Sequence, residues 1–146
     1  WLFKKALYRK VICFFYCFSI VAARRQEYKG VHILANRYLS NYDDREFFSD
    51  AVAKVCNNCS FSALENGIGL LEALVTGELK EPDIVFLDIN VPEMSGWECL
   101  AQLKGNEKFS TIPVIMYSTS KHKEDIRKAK ALGAFAFLPN LMIMVN

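Results

Sequence analysis

The chain has 146 residues, 52% of them hydrophobic, with 18 Lys and Arg against 16 Asp and Glu. That length supports one domain with a real core, and the composition is that of an ordinary soluble α/β protein. Residues 1–30 carry seven Lys and Arg against Glu27 alone, a net +6, which leaves −4 for the rest and argues against a nucleic-acid-binding surface on the domain. Five cysteines occur, at Cys13, Cys17, Cys56, Cys59 and Cys99. Cys56 and Cys59 have redox-motif spacing, but they lie between a helix pattern and a strand pattern, and no second such pair completes a zinc site. Reduced, partly buried thiols in a cytosolic protein are the expectation.

Residues 1–30 read as an extension to a domain over 31–146. Lys4, Lys5, Arg9 and Lys10 precede a 13-residue apolar run, Val11 to Ala23, and Arg24-Arg25 follow it. The run is shorter than the roughly 20 residues a membrane span needs. It has the length of a signal-peptide core, with small residues at Ala22-Ala23. Three readings fit it: a signal or short membrane anchor, an extra helix packed on the domain, or translated upstream sequence without a role.

Val31 to Ala35 reads as the first strand, and Asn36 to Tyr42 as a polar loop. Asp43 with Glu46 three residues later is a capping-box-like helix start, and Phe47, Phe48, Ala51, Val52 and Val55 share one helical face. Ser60 to Leu64 is a weak strand, and Glu65-Asn66-Gly67 a turn. Ile68, Leu71, Leu74 and Val75 mark the next helix, which Gly77 and Pro82 stop. Ile84 to Leu87 is a short apolar run rich in β-branched and aromatic residues, the pattern of a strand buried on both faces, and it ends on the carboxylate of Asp88. Ser95 and Glu98 form a second capping box, opening a helix to about Lys104. Val114 to Tyr117 is another buried strand, ending at Ser118-Thr119-Ser120. Lys121 to Leu132 is amphipathic, with Ile126, Ala129 and Leu132 inward and Gly133 as the cap; His122 opens this exposed basic helix. Ala134 to Leu138 is the fifth strand, ending at Pro139-Asn140. Strand and helix alternate, so the fold expected is α/β with a doubly wound parallel sheet and right-handed crossovers.

Open sheets of this kind place ligands at the C-terminal ends of their strands, where Asp88 stands. Pro82 to Gly96 resembles the phospho-acceptor strand and loop of the response-regulator receiver domain, the CheY-like superfamily, and the likeness runs over about residues 31–140. The resemblance implies a flavodoxin-like five-stranded sheet of order 2-1-3-4-5, with the last helix truncated at residues 141–146. A truncated helix would leave apolar sheet surface open, for the N-terminal segment or a second subunit to cover.

The resemblance also implies a chemistry. Receivers move a phosphoryl group from a phosphohistidine onto their own Asp, using a carboxylate nucleophile, Mg²⁺ and donors to the phosphate oxygens. Asp88 matches the acceptor and a metal ligand. Asn90 matches the position whose backbone carbonyl binds the metal, and Pro92 and Gly96 match the loop. Ser118 matches the phosphate-contacting switch position, Thr119 its small neighbour, and Phe137 the switch aromatic.

Two positions depart from the pattern. Asn36-Arg37 stand where the metal-binding acid pair is expected, with Asp43 and Asp44 as displaced acids. Asn140 stands at the Lys position, the last Lys being Lys130. Arg37 can place a guanidinium at the Mg²⁺ position and pair with Asp88. Two functions therefore remain: a single-domain response regulator phosphorylated on Asp88, or a pseudo-receiver that binds partners without phosphorylation. In either case no enzyme activity beyond self-phosphotransfer is expected. The implied partners are a histidine kinase or phosphotransfer protein, a separate output protein and a second copy in a homodimer, all in the cytoplasm, with membrane association if residues 1–30 act as an anchor. A nucleotide- or flavin-binding protein lacks support, since no Gly-rich loop follows the first strand.

Overall fold

The computed structural model describes residues 31–34, 50, 53, 61–90, 93–118 and 122–139. Strands β1 (Val31–Leu34), β2 (Phe61–Leu64), β3 (Ile84–Asp88), β4 (Val114–Ser118) and β5 (Ala136–Pro139) form one sheet. All pairings are parallel, and the order is β2-β1-β3-β4-β5, as expected. Helices α1 (Gly67–Thr76), α2 (Gly96–Gly105) and α3 (Lys123–Ala131) alternate with the strands. Of the helix expected from Asp43, only Asp50 and Ala53 are described, and both are helical and exposed. Residues 1–30, the Cys56/Cys59 pair and residues 141–146 lie outside the described residues. No helix among the described residues is long and apolar enough to cross a membrane.

The alternation of β3 and β4 sends Val85, Leu87, Val114 and Met116 to one face. There they meet Leu70 and Leu74 of α1, Cys99, Leu100 and Leu103 of α2, and Ala129 of α3, all buried. Each fully buried Leu of this set stabilises the fold by about 1.5–3 kcal/mol. The Cys99 thiol belongs to this core, and burial pushes its pKa up to about 12, so it stays a neutral apolar group. Ile84, Phe86 and Ile115 point to the opposite face and are also buried. The second face is therefore covered along the two central strands.

Val75, one of the residues that mark the α1 pattern, and Ile126, expected inward on α3, both face out. Val75 is 66% exposed and Ile126 is 42% exposed. The buried stripe of α1 is Leu70, Ala73 and Leu74, and Val75 sits about 100° round the helix from Leu74. On α3 only Ala129 is buried.

Candidate functional site

Asp88 ends β3 at the C-terminal edge of the sheet and is 3% exposed. Its Oδ1 accepts the backbone N–H of Asn90 at 2.8 Å, a local turn that short acidic side chains favour. The chain then leaves the sheet under two backbone restraints. Ile89 N–H donates to the Tyr117 carbonyl at 3.1 Å, and Gly96 N–H donates to the Ile89 carbonyl at 2.9 Å. The start of α2 is thus drawn onto the end of β3. A Cβ at Gly96 would lie 2.1 Å from the Asp88 carbonyl oxygen, so no other residue type fits without moving the acceptor strand or the helix.

The loop is tied at two further points. Glu93 adopts φ +65°, a left-handed conformation uncommon for a side chain of this kind. Its Oε2 accepts Asn66 Nδ2 at 3.0 Å, while Asn66 Oδ1 accepts Gly69 N–H at 2.7 Å. One amide therefore caps α1 and anchors the loop after β3. Sequence reading took Asn66 only as a turn residue; an Asn just before a helical apolar run was the available signal. The expected capping box is present: Glu98 N–H donates to Ser95 Oγ at 3.3 Å and Ser95 N–H to Glu98 Oε2 at 2.9 Å. The backbone and then the hydroxyl hydrogen bonds from Ser95 hold the Glu98 carboxyl below its ordinary pKa.

Ser118 ends β4 and is 3% exposed. Parallel pairing sets Asp88 opposite Tyr117, so Ser118 lies one residue further along the neighbouring strand at the same sheet edge. The two positions therefore lie at the same end of adjacent strands. Phe137 pairs with Met116 and is partly buried against the core. Its ring stacks on Trp97 of α2, with centroids 6.4 Å apart and planes 3° from parallel, and Lys128 Nζ of α3 lies 4.6 Å from the Trp97 centroid. Neither Trp97 nor Lys128 carried a signal in sequence, since the contact joins segments far apart in the chain. Asn36, Arg37, Asp43, Asp44, Pro92, Thr119 and Asn140 lie outside the described residues.

Among the described residues no group of three or more His, Cys, Asp and Glu gathers to hold a metal ion. Mg²⁺ prefers six oxygens with carboxylates among them. Of the residues expected around such an ion, Asp88 and Asn90 are described, while Asn36 and Arg37 are not.

A family model described as the response regulator receiver domain matches residues 42–140. The match begins after β1, which the sheet nevertheless holds between β2 and β3. The nitrate/nitrite response regulator protein NarL of Escherichia coli (strain K12) is 38% identical over 74 residues, covering 51% of this chain and 31% of NarL. The chain thus spans well under half of that relative's length. Among solved structures, the phosphorylated cyanobacterial phytochrome response regulator RcpA superposes with a TM-score of 0.66 at 24% identity, over 79% of this chain and 84% of that one. Chemotaxis protein CheY4 of Vibrio cholerae superposes with a TM-score of 0.61 at 20% identity, over 82% and 90%. At these identities the two superpositions speak for the fold alone.

Proposed function

The chain belongs to the response regulator receiver domain family, the signalling module of two-component systems, and from that premise we propose that Asp88 is its phospho-acceptor. The observation that carries the reading is a buried carboxylate at the end of β3, one register step from a buried serine at the end of β4. In the proposed step an Asp88 carboxylate oxygen attacks phosphorus. The P–N bond of the donor phosphohistidine breaks, and the departing imidazole takes up a proton. Asp88 becomes an acyl phosphate. Ser118 supplies a hydroxyl to one phosphate oxygen, and the hydrogen bond from Asn90 N–H fixes Asp88 Oδ1 during the attack. Thr119 is the small neighbour of Ser118 in the chain. Phe137 answers the movement of Ser118 and reshapes the surface of α3 and β5, which a separate output protein reads. The donor is a histidine kinase or phosphotransfer protein, and the setting is the cytoplasm.

A second reading has its own observation. Asn36-Arg37 and Asn140 replace the acid pair and the Lys, so charge compensation for the transferred phosphoryl group is depleted. Each contact of that kind is worth roughly 10²–10³ in rate. A chain without them works as a pseudo-receiver, a protein-interaction module that needs no phosphate. Incubation with a small acyl-phosphate donor over a range of Mg²⁺ concentrations, read by intact mass, separates the two. A phosphoryl adduct that disappears in Asp88→Asn supports the phospho-acceptor. No adduct at any Mg²⁺ concentration supports the pseudo-receiver.

A further inference from the structure

We propose that Trp97 is a positioning residue: it clamps Phe137 to the first turn of α2 and so couples the Asp88 loop to the surface formed by β5 and α3. The inference rests on the phospho-acceptor reading and adds to it a residue on a different element. Three contacts in series carry it. Gly96 packs directly on the Asp88 backbone, its N–H bonded to the Ile89 carbonyl at 2.9 Å, so the helix start and the acceptor move together. Trp97 is the next residue, and its ring lies nearly parallel to that of Phe137, 6.4 Å away. Lys128 of α3 holds its ammonium 4.6 Å from the centre of the same indole. Trp97 thus joins α2, β5 and α3 through one side chain.

The physical consequence is reciprocal. Phe137 cannot turn without breaking the stack, and α2 cannot shift at its first residue without dragging the indole. A displacement at Asp88 therefore changes the stack, and weakening the stack shifts the equilibrium of Asp88 phosphorylation by the same free energy, with the rate following in the same direction. The contact of Lys128 with the indole face makes α3 sense the same displacement.

The test uses the full chain carrying Trp1→Phe, which leaves Trp97 as the single indole. Without any phosphate donor, Phe137→Ala and Lys128→Met each raise acrylamide quenching of Trp97, by about twofold if either contact covers the ring. Val75→Ala, on the far side of α1, leaves it unchanged. With the acyl-phosphate donor, adduct formation shifts Trp97 emission, and Phe137→Ala removes the shift while the adduct still forms. Trp97→Leu slows adduct formation about fivefold, the lower range of allosteric coupling, and Trp97→Phe restores it. An adduct formed with no change in Trp97 emission, or with equal rates in Trp97→Leu and Trp97→Phe, overturns the coupling and leaves the phospho-acceptor reading intact. No adduct in any variant overturns both, and the quenching series then reports the stack alone.

Discussion

The two ends of α2 are fastened by different physics. At its N-terminus the helix meets the acceptor strand through a glycine, an exposed capping box and an aromatic stack. At its C-terminus a half-buried lysine does the work. Lys104 Nζ donates to the Ser110 carbonyl at 2.9 Å and to the Ile112 carbonyl at 2.6 Å, pinning the connection that leads into β4. Burial pulls the Lys104 amine below its usual pKa, yet the two carbonyls give its charge good partners. The end beside Asp88 is held by backbone packing, a capping box and an aromatic stack. The far end is fixed by a half-buried ammonium bonded to two carbonyls.

Glycine substitution breaks the comparison most sharply. In Gly96→Ala the new methyl meets the Asp88 carbonyl oxygen at 2.1 Å, and strand or helix must move. A loss of about 2–4 kcal/mol is expected in chemical denaturation, together with loss of the phosphoryl adduct. A variant of wild-type stability would mean that the helix start is not pressed onto the acceptor. Next in size is Lys104→Met, which removes the donor to two carbonyls. About 1–3 kcal/mol of stability should be lost, with the rate of adduct formation unchanged, because the fault lies at the fixed end. A Lys104 variant that is stable but slow would erase the distinction between the two ends.

The same division explains what was legible in the sequence. The strand ending on Asp88 and the Ser95/Glu98 capping box rest on local patterns, an apolar run closed by a carboxylate and a pair spaced three apart, while the sheet order and the choice of Ser118 rest on the family resemblance. The sheet order and the capping box are observed as expected. What was not legible depends on chain segments that meet only after folding. Lys104 reads in sequence as one more polar residue of an amphipathic helix, and its carbonyl partners lie in the following connection. Asn66 reads as a turn, because its bond to Glu93 crosses 27 residues. Ile126 reads as inward and Val75 as part of the α1 pattern because helical periodicity finds a stripe but does not fix its edges. The neighbours that set those edges are other helices and strands.

The capping box gives a smaller effect with a definite sign. Ser95→Ala should cost about 1 kcal/mol, as loss of a helix N-cap usually does. Since the folded state holds the Glu98 carboxyl below its unfolded pKa, its contribution is present above the unfolded value and is lost as the pH falls through the folded one. Denaturation of the wild type and of Glu98→Gln across the acidic range should therefore show the wild type losing stability with falling pH more steeply than the variant. Parallel curves would mean that the box is open in solution.

The smallest effect closes the comparison from the other side. Gly105 ends α2, and a Cβ there would meet nothing within 4 Å. Alanine costs the unfolded chain conformational freedom and costs the folded chain no contact, so Gly105→Ala should stabilise by about 0.4–1 kcal/mol. The identical substitution, Gly to Ala, thus has opposite signs at the first and last residues of one helix. The sign is set by the backbone of Asp88 at one end and by solvent at the other. Measured together with Gly96→Ala in the same denaturant series, the pair isolates the close approach from helix propensity. Propensity favours Ala at both positions, and only the packing of α2 onto the acceptor strand opposes it.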